Sequence, residues 1–153
     1  MENFHGLALV PISDSEGGYF ITLPPAGPQT RLPLIDAGGD TGKFVGAMLA
    51  EPEKYEGRTF VAAAELRRLD EIAAAMSESS GKKVVYRQMS VEEFEAMIGQ
   101  TLPDALVETF KAMEEFGYAG EGTEEDVKWA VENARGKVTG LEDYLAAHPL
   151  KLE

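Results

Sequence analysis

The sequence predicts an α/β fold in which short strands pack against several helices within one domain, residues 1–153. Three observations support this fold class. Short extended pieces bounded by glycine and proline fill the first third of the chain, and a strand–helix–strand pattern occupies the middle. From Ser90 onward, apolar residues recur at helical spacing. A length of 153 residues suits one domain with a core of its own.

Two extended pieces and one helix are predicted in the first third. Residues 17–23 are typical of a strand that a glycine turn opens and two prolines close. Residues 31–36 form a second extended piece, and Pro33 within it favours the edge of a sheet. Asp40 is the expected N-cap of a helix reaching about Leu49, whose predicted apolar face consists of Phe44, Val45, Met48 and Leu49.

The middle third predicts a strand at residues 58–62, a helix at 65–79 and a strand at 83–87. Gly81 is the expected C-cap of the helix. Because a helix of this length connects them, the two strands are expected to be parallel neighbours.

The last third is predicted to be helical. Ser90 and Glu93 fit a capping box ahead of one helix. A second apolar stripe runs from Leu102 to Met113 and ends at Gly117. Helices at residues 123–134 and 140–145 complete the chain.

Charge is strongly negative, with 27 acidic against 14 basic residues and a net charge of −13. Six acids and no base lie between Ala112 and Val127. Such a surface repels phosphate backbones, so nucleic acid is not an expected partner. The run is either a solvated acidic face or a docking face for a basic protein partner. The candidate residues of that partner surface are Glu124, Glu125, Asp126 and Trp129.

Composition also excludes several classes of protein. Cysteine is absent, so there is no disulfide, thiol nucleophile or zinc–thiolate site. No apolar run approaches the roughly 20 residues of a membrane-spanning helix, and the N-terminus is not that of a signal peptide. A cytoplasmic location is the expectation, with a nuclear one also open and no membrane association.

Known catalytic motifs do not match. The stretch Gly38-Gly-Asp-Thr-Gly-Lys43 fails as a phosphate loop because Ala37 and Phe44 stand where glycine and Ser/Thr are needed. No tyrosine has a lysine four residues further on, which excludes the Tyr-x-x-x-Lys pair of short-chain dehydrogenases. Two histidines cannot build a conventional multi-histidine site, so no metal is expected.

A set of segments follows one order along nearly all of the chain: Met1-Glu-Asn-Phe4, Leu32-Pro-Leu-Ile-Asp36, Asp40-Thr-Gly-Lys-Phe-Val45, Pro52-Glu-Lys-Tyr-Glu-Gly57, Ser80-Gly-Lys-Lys-Val-Val-Tyr86, Glu92-Glu-Phe94 and Phe116-Gly-Tyr118. Together they resemble the second half of the NmrA-like family, NAD(P)-binding proteins of the atypical short-chain dehydrogenase group. In that family a Gly-rich dinucleotide loop precedes the first of these segments. The resemblance implies a truncated form, the C-terminal lobe of a Rossmann protein without its N-terminal dinucleotide-binding half.

The resemblance also implies site residues and a cofactor. Asn3 and His5 come where the family's chain leaves the sheet beside the cofactor cleft, so they are ligand-pocket candidates; alternatively Asn3 caps a turn and His5 is partly solvated. Asp36 is the third pocket candidate, and it also stands where it can tie down the loop before the next helix. The family's cofactor is NAD(P), but this chain alone is expected to bind none.

Two classes of function follow from the resemblance. The first hypothesis is a non-catalytic lobe that binds a small-molecule ligand or a protein partner, in a lineage of NAD(P) redox sensors and regulators. The alternative is a lineage of NAD(P)H-dependent reductases, or a lobe repurposed for isomerase or cyclase chemistry on a small metabolite. A structural dimerisation module is a third possibility. Because short strands leave uncovered sheet edges, a homo-oligomer or a complex with a protein partner is expected.

Overall fold

Two small sheets and the helices around them make up the computed structural model, which describes residues 1–5 and 9–152; the side chains of Asn3 and His5 lie outside what it describes. A short 3-10 helix, Glu2–His5, begins the chain. The strands are β1 (Ile12–Ser13), β2 (Tyr19–Ile21), β3 (Arg31–Leu34), β4 (Glu65–Arg68) and β5 (Val84–Tyr86). The helices are α1 (Ala37–Ala50), α2 (Pro52–Tyr55), α3 (Leu69–Ser80), α4 (Val91–Ile98), α5 (Asp104–Phe116), α6 (Thr123–Asn133) and α7 (Leu141–Ala147). The predicted mixed α/β class is confirmed.

Strand β2 is the centre of the larger sheet. It pairs antiparallel with β1 and parallel with β5, where Tyr19 lies opposite Val84 and Ile21 opposite Tyr86. The smaller sheet is the antiparallel pair β3–β4, in which Pro33 lies opposite Leu66. Both strands of a two-stranded sheet are edges, so the edge position predicted from Pro33 is confirmed.

The core lies between the larger sheet and helices α3 and α7. Its fully buried side chains are spaced three or four residues apart on these helices, as expected for amphipathic helices. They are Ile21, Leu69, Ile72, Met76, Leu141 and Leu145. Each such side chain contributes about 1.5–3 kcal/mol through burial.

Local capping signals predicted from sequence are confirmed. Gly81 ends α3 in the left-handed conformation at φ 67°, and its N–H donates to the Ser77 carbonyl at 3.0 Å. Ser90 and Glu93 form the capping box of α4, with N–H···O distances of 3.1 and 2.8 Å.

The predicted cap of α1 is wrong. The helix begins at Ala37, and Asp36 is its N-cap, accepting a hydrogen bond from the Gly39 N–H at 2.9 Å. Asp40 lies one turn inside the helix and is fully buried. It is buried on the same face of the helix as Phe44 and Ala47, whereas Val45 and Leu49, which the apolar pattern placed on the buried face, are 42% and 76% exposed.

The predicted strand at residues 58–62 is also wrong, as is its parallel pairing with residues 83–87. Residues 58–62 form no strand, and the chain becomes extended only at β4, where the predicted helix was to begin. Strand β4 pairs with β3, and β5 finds its parallel partner in β2. Among the described residues, no helix is long and apolar enough to span a bilayer.

Candidate functional site

A groove runs between the start of β3 and the junction of α5 with α6. We call it the α5–α6 groove; it has a volume of about 390 Å³. The side chains that matter for its chemistry are Thr30, Arg31, Leu66, Glu114, Tyr118, Glu124 and Glu125. The turn from α5 to α6 forms one wall of the groove. Its sharp bends occur at Gly117, Gly120 and Gly122, which all adopt positive φ.

Two further hollows continue the α5–α6 groove at either end. One, of about 300 Å³, shares Gln29, Thr30 and Glu114 with it and reaches Gln88. The other, of about 380 Å³, shares Leu66 and Glu124 and reaches Val131. The result is an elongated depression along the smaller sheet rather than a closed cavity.

Hydrogen bonds and one ion pair fix the polar walls of the groove. The Arg31 guanidinium contacts the Glu124 carboxylate at 2.7 Å, and both side chains are more than half exposed. The Glu114 carboxylate accepts the Gly27 N–H at 2.8 Å, which ties α5 to the loop before β3. Glu125 has no ion-pair partner in the part of the chain that the structure describes.

The hydroxyl of Thr30 is the unusual polar group of the groove. The side chain is only 8% exposed, and its oxygen has no hydrogen-bond partner among the described residues. The Thr30 backbone is fully engaged, since its N–H donates to Gly27 and its carbonyl accepts from Leu69. Buried hydroxyls normally have a partner, and those of Thr30 and Thr22 are the exceptions among the described residues.

The helix N-termini do not fit the phosphates of a dinucleotide. All seven α-helices of the described chain carry at least one acidic residue in the first turn. At α1, the N–H groups of Gly38 and Gly39 already donate to the carboxylates of Glu2 and Asp36, each at 2.9 Å. Pyrophosphate binding requires such N–H groups to be available and the local charge to be favourable.

The pocket candidates predicted from the family resemblance lie around this helix end. Asn3 and His5 belong to the 3-10 helix, and their side chains lie outside the described part. Asp36 caps α1 as described above. Burial opposes the ionisation of the neighbouring Glu2, but the hydrogen bond from Gly38 N–H helps to hold the pKa of Glu2 well below its ordinary value. Whether these residues bind a ligand stays a prediction.

The partner-surface candidates lie on α6. Glu124, Glu125 and Asp126 occupy its exposed first turn, where negative charge complements the helix dipole. Trp129 lies further along and is half-buried in an aromatic cluster, with ring centroids 4.7 Å from Phe60 and 6.0 Å from Tyr55. Two of the candidates, Glu124 and Glu125, line the α5–α6 groove.

The sequence did not show which residues lie close to the acidic side chains of α6. Thr30 and Arg31 are some ninety residues away from α6 in the chain, and no local motif connects them with it. The only sequence signal for the groove was the acidic run itself. No group of three or more histidine or carboxylate side chains in the described ranges is arranged to hold a metal ion.

Tyr86 lies at the end of β5 and is held in its neutral form at neutral pH. Burial raises the pKa of Tyr86 to about 12, and its hydroxyl donates to the Ala26 carbonyl at 2.5 Å. A phenol with this pKa is a hydrogen-bond donor at neutral pH and a poor proton acceptor.

The raised pKa predicts a specific alkaline effect. Tyr86 stabilises the fold fully below about pH 10, the ordinary tyrosine pKa, and this contribution is lost as the pH rises towards about 12. The stability difference between the parent chain and Tyr86→Phe should therefore narrow over that interval in urea titrations. A difference that stays constant from pH 8 to pH 12 would contradict the assigned cause.

Comparison with known proteins gives one family. The model of the NmrA-like family matches residues 1–145. An NmrA-like family domain-containing oxidoreductase, FrzB of a Cladobotryum species, is 31% identical over 96 residues, which are 56% of this chain and 29% of that protein.

Solved structures show the same fold at low identity. NmrA, a negative transcriptional regulator crystallised with NAD, superposes with a TM-score of 0.64 at 18% identity, covering 88% of this chain and 44% of that one. A nucleoside-diphosphate-sugar epimerase from Staphylococcus aureus gives a TM-score of 0.56 at 22% identity, covering 82% and 43%. The chain thus spans less than half the length of each of these proteins.

Proposed function

The chain belongs to the NmrA-like family, and on that premise we propose that it is a lobe that binds a ligand or a protein partner through the α5–α6 groove. In this proposal the lobe serves an NAD(P)-linked regulator of redox-sensing type, and it neither binds the dinucleotide nor transfers hydride alone. The single observation that carries the proposal is the contrast between an open, elongated groove and helix N-termini that are all acidic.

Electrostatics supports the negative half of the proposal. Dinucleotide affinity in Rossmann proteins depends on backbone N–H groups of a Gly-rich turn and on a helix N-terminus facing the pyrophosphate. Here the N–H groups at the start of α1 are engaged by Glu2 and Asp36. A net charge of −13 adds a repulsive field before any contact forms.

Titration of NADPH into the purified chain tests this proposal. Trp129 is the only tryptophan, so its emission and energy transfer to NADPH report binding directly. We expect no saturation up to about 1 mM, equivalent to a binding free energy weaker than about −4 kcal/mol. Inorganic triphosphate at equal ionic strength is the control for nonspecific quenching. Saturable binding in the low micromolar range would refute the proposal.

One observation favours a second candidate function. The FrzB relative is named an oxidoreductase, which supports a reductase lineage, or isomerase or cyclase chemistry, with this lobe contacting the substrate. Oxidation of NADPH by the purified chain in the presence of a simple carbonyl or quinone would favour this enzymatic function over the binding function.

Self-association belongs to the proposal as well. The two strands of the β3–β4 sheet are both edges, and unpaired edges invite pairing with another chain. A homo-oligomer or a protein complex is therefore the proposed state, in the cytoplasm or the nucleus.

A further inference from the structure

The α5–α6 groove and its two continuations are electrostatically suited to a cationic guest. Five carboxylates line them against two cations, Arg31 and Lys128. The carboxylates are Glu65, Glu114, Glu124, Glu125 and Glu132. Complementary charge on a partner is attracted to such a surface, and the attraction weakens with salt.

An arginine side chain already occupies part of this surface. The guanidinium of Arg31 rests on Glu124 at 2.7 Å, with 52% of the Arg31 side chain exposed. Exposed ion pairs of this kind contribute little to stability, so a guest can replace this one at small cost. The pair shows that Glu124 is placed to accept a guanidinium within the groove.

An exposed aromatic ring lines the same groove. Tyr118 is 55% exposed and follows Gly117 in the turn between α5 and α6. Guanidinium groups stack on tyrosine faces and are attracted by the ring quadrupole. Tyr118 and the carboxylates of α6 therefore combine the two features that recognise arginine.

We propose that the α5–α6 groove binds an arginine-containing peptide segment of a protein partner. A guanidinium of the peptide contacts Glu124, Glu125 and Tyr118. The continuation of the groove at both ends favours an extended segment over a compact cationic metabolite. This inference rests on the proposed function and names the partner class for the same groove.

Fluorescence anisotropy with a labelled ten-residue peptide tests the proposal. The peptide contains four arginines separated by Gly and Ser, and a matched peptide carries Gln in their place. We expect saturable binding of the arginine peptide and at least about tenfold weaker binding of the Gln peptide. Free arginine that competes at the same concentration as the peptide would overturn the extended-segment proposal.

Charge variants distinguish peptide binding in the groove from nonspecific attraction to the net charge of the whole chain. Glu124→Gln with Glu125→Gln should weaken peptide binding about tenfold or more. Glu16→Gln with Glu78→Gln changes the total charge equally, at exposed positions that do not line the groove, and should weaken it less than about twofold. Equal losses in the two pairs would reduce the effect to nonspecific attraction and overturn the site.

One groove variant gives an outcome that a merely structural role would not. Arg31→Gln frees Glu124, so it should strengthen peptide binding about threefold instead of weakening it. Weaker peptide binding in Arg31→Gln would contradict the assigned contacts.

The failure of this inference is distinguishable from failure of the proposed function. If the peptide does not bind and NADPH does not bind either, the arginine-segment assignment is wrong while the non-dinucleotide role is retained. If NADPH binds in the low micromolar range, the proposed function fails whatever the peptide does.

Discussion

Replacing Asp40 by asparagine is expected to lower the free energy of unfolding by about 3 kcal/mol, the upper end of the range for leaving a buried donor without its acceptor. The Asp40 carboxylate is fully buried and accepts the Thr139 N–H at 2.7 Å and the Lys43 ammonium at 2.6 Å. Asparagine has only one acceptor oxygen, so its NH₂ group must face either Thr139 N–H or the ammonium. A donor is then left opposite a donor in a buried site.

Urea unfolding followed by circular dichroism measures this loss. Asp143→Asn is the matched control, because Asp143 forms an ion pair with Lys137 at a similar distance, 2.8 Å, but on the exposed surface. Its unfolding midpoint should fall by much less than that of Asp40→Asn, because only an exposed ion pair and one charge in the first turn of α7 are lost. If both variants unfold at the parent midpoint, Asp40 does not have the structural role assigned to it.

Leu145→Ala is expected to cost about 2–5 kcal/mol in the free energy of unfolding. Leu145 has no exposed surface, and it belongs to the core that joins α7 to α3. The substitution removes buried methyl groups and leaves a cavity between these helices.

The same chemical change at an exposed position is the control. Leu49 lies on α1 and is 76% exposed, so Leu49→Ala should change the free energy of unfolding by about 0.5 kcal/mol or less. Chemical denaturation of the three proteins under one condition gives the comparison. Equal losses in the two variants would contradict the placement of α7 against α3.

Signals confined to a few neighbouring residues predicted local structure well. The Ser90–Glu93 capping box and the Gly81 cap depend on contacts within one turn of a helix, so the sequence contains everything needed to recognise them. The edge position of Pro33 depends likewise on a property of proline itself, the missing N–H.

Choices that depend on distant residues were not predictable in this way. Asp36 and Asp40 both precede the apolar residues of α1, and both can cap a helix. The structure distinguishes them through Thr139, which is 99 residues from Asp40 in sequence and occupies its carboxylate. The pattern of residues 58–62 suits a strand, but a strand also needs a pairing partner, and periodicity does not identify one.

The α5–α6 groove shows the same limit. The acidic run was visible in the sequence, and its interpretation as a solvated face or a docking face stayed open. The nearness of Arg31 and Thr30 to Glu124 depends on how the β3–β4 sheet packs against α6 through β4. No spacing rule along the chain connects these residues.

Amide chemical shifts of the ¹⁵N-labelled chain, recorded while NADPH and then the arginine peptide are added to one sample, test the central claim most directly. We expect NADPH at about 1 mM to leave the amides of Gly38 and Gly39 unshifted, because they already donate to carboxylates. The peptide should then shift amides along the α5–α6 groove, including those of Thr30, Tyr118 and Glu124. Saturable shifts at Gly38 and Gly39 on addition of NADPH would contradict a lobe that binds through its groove and not through a dinucleotide site.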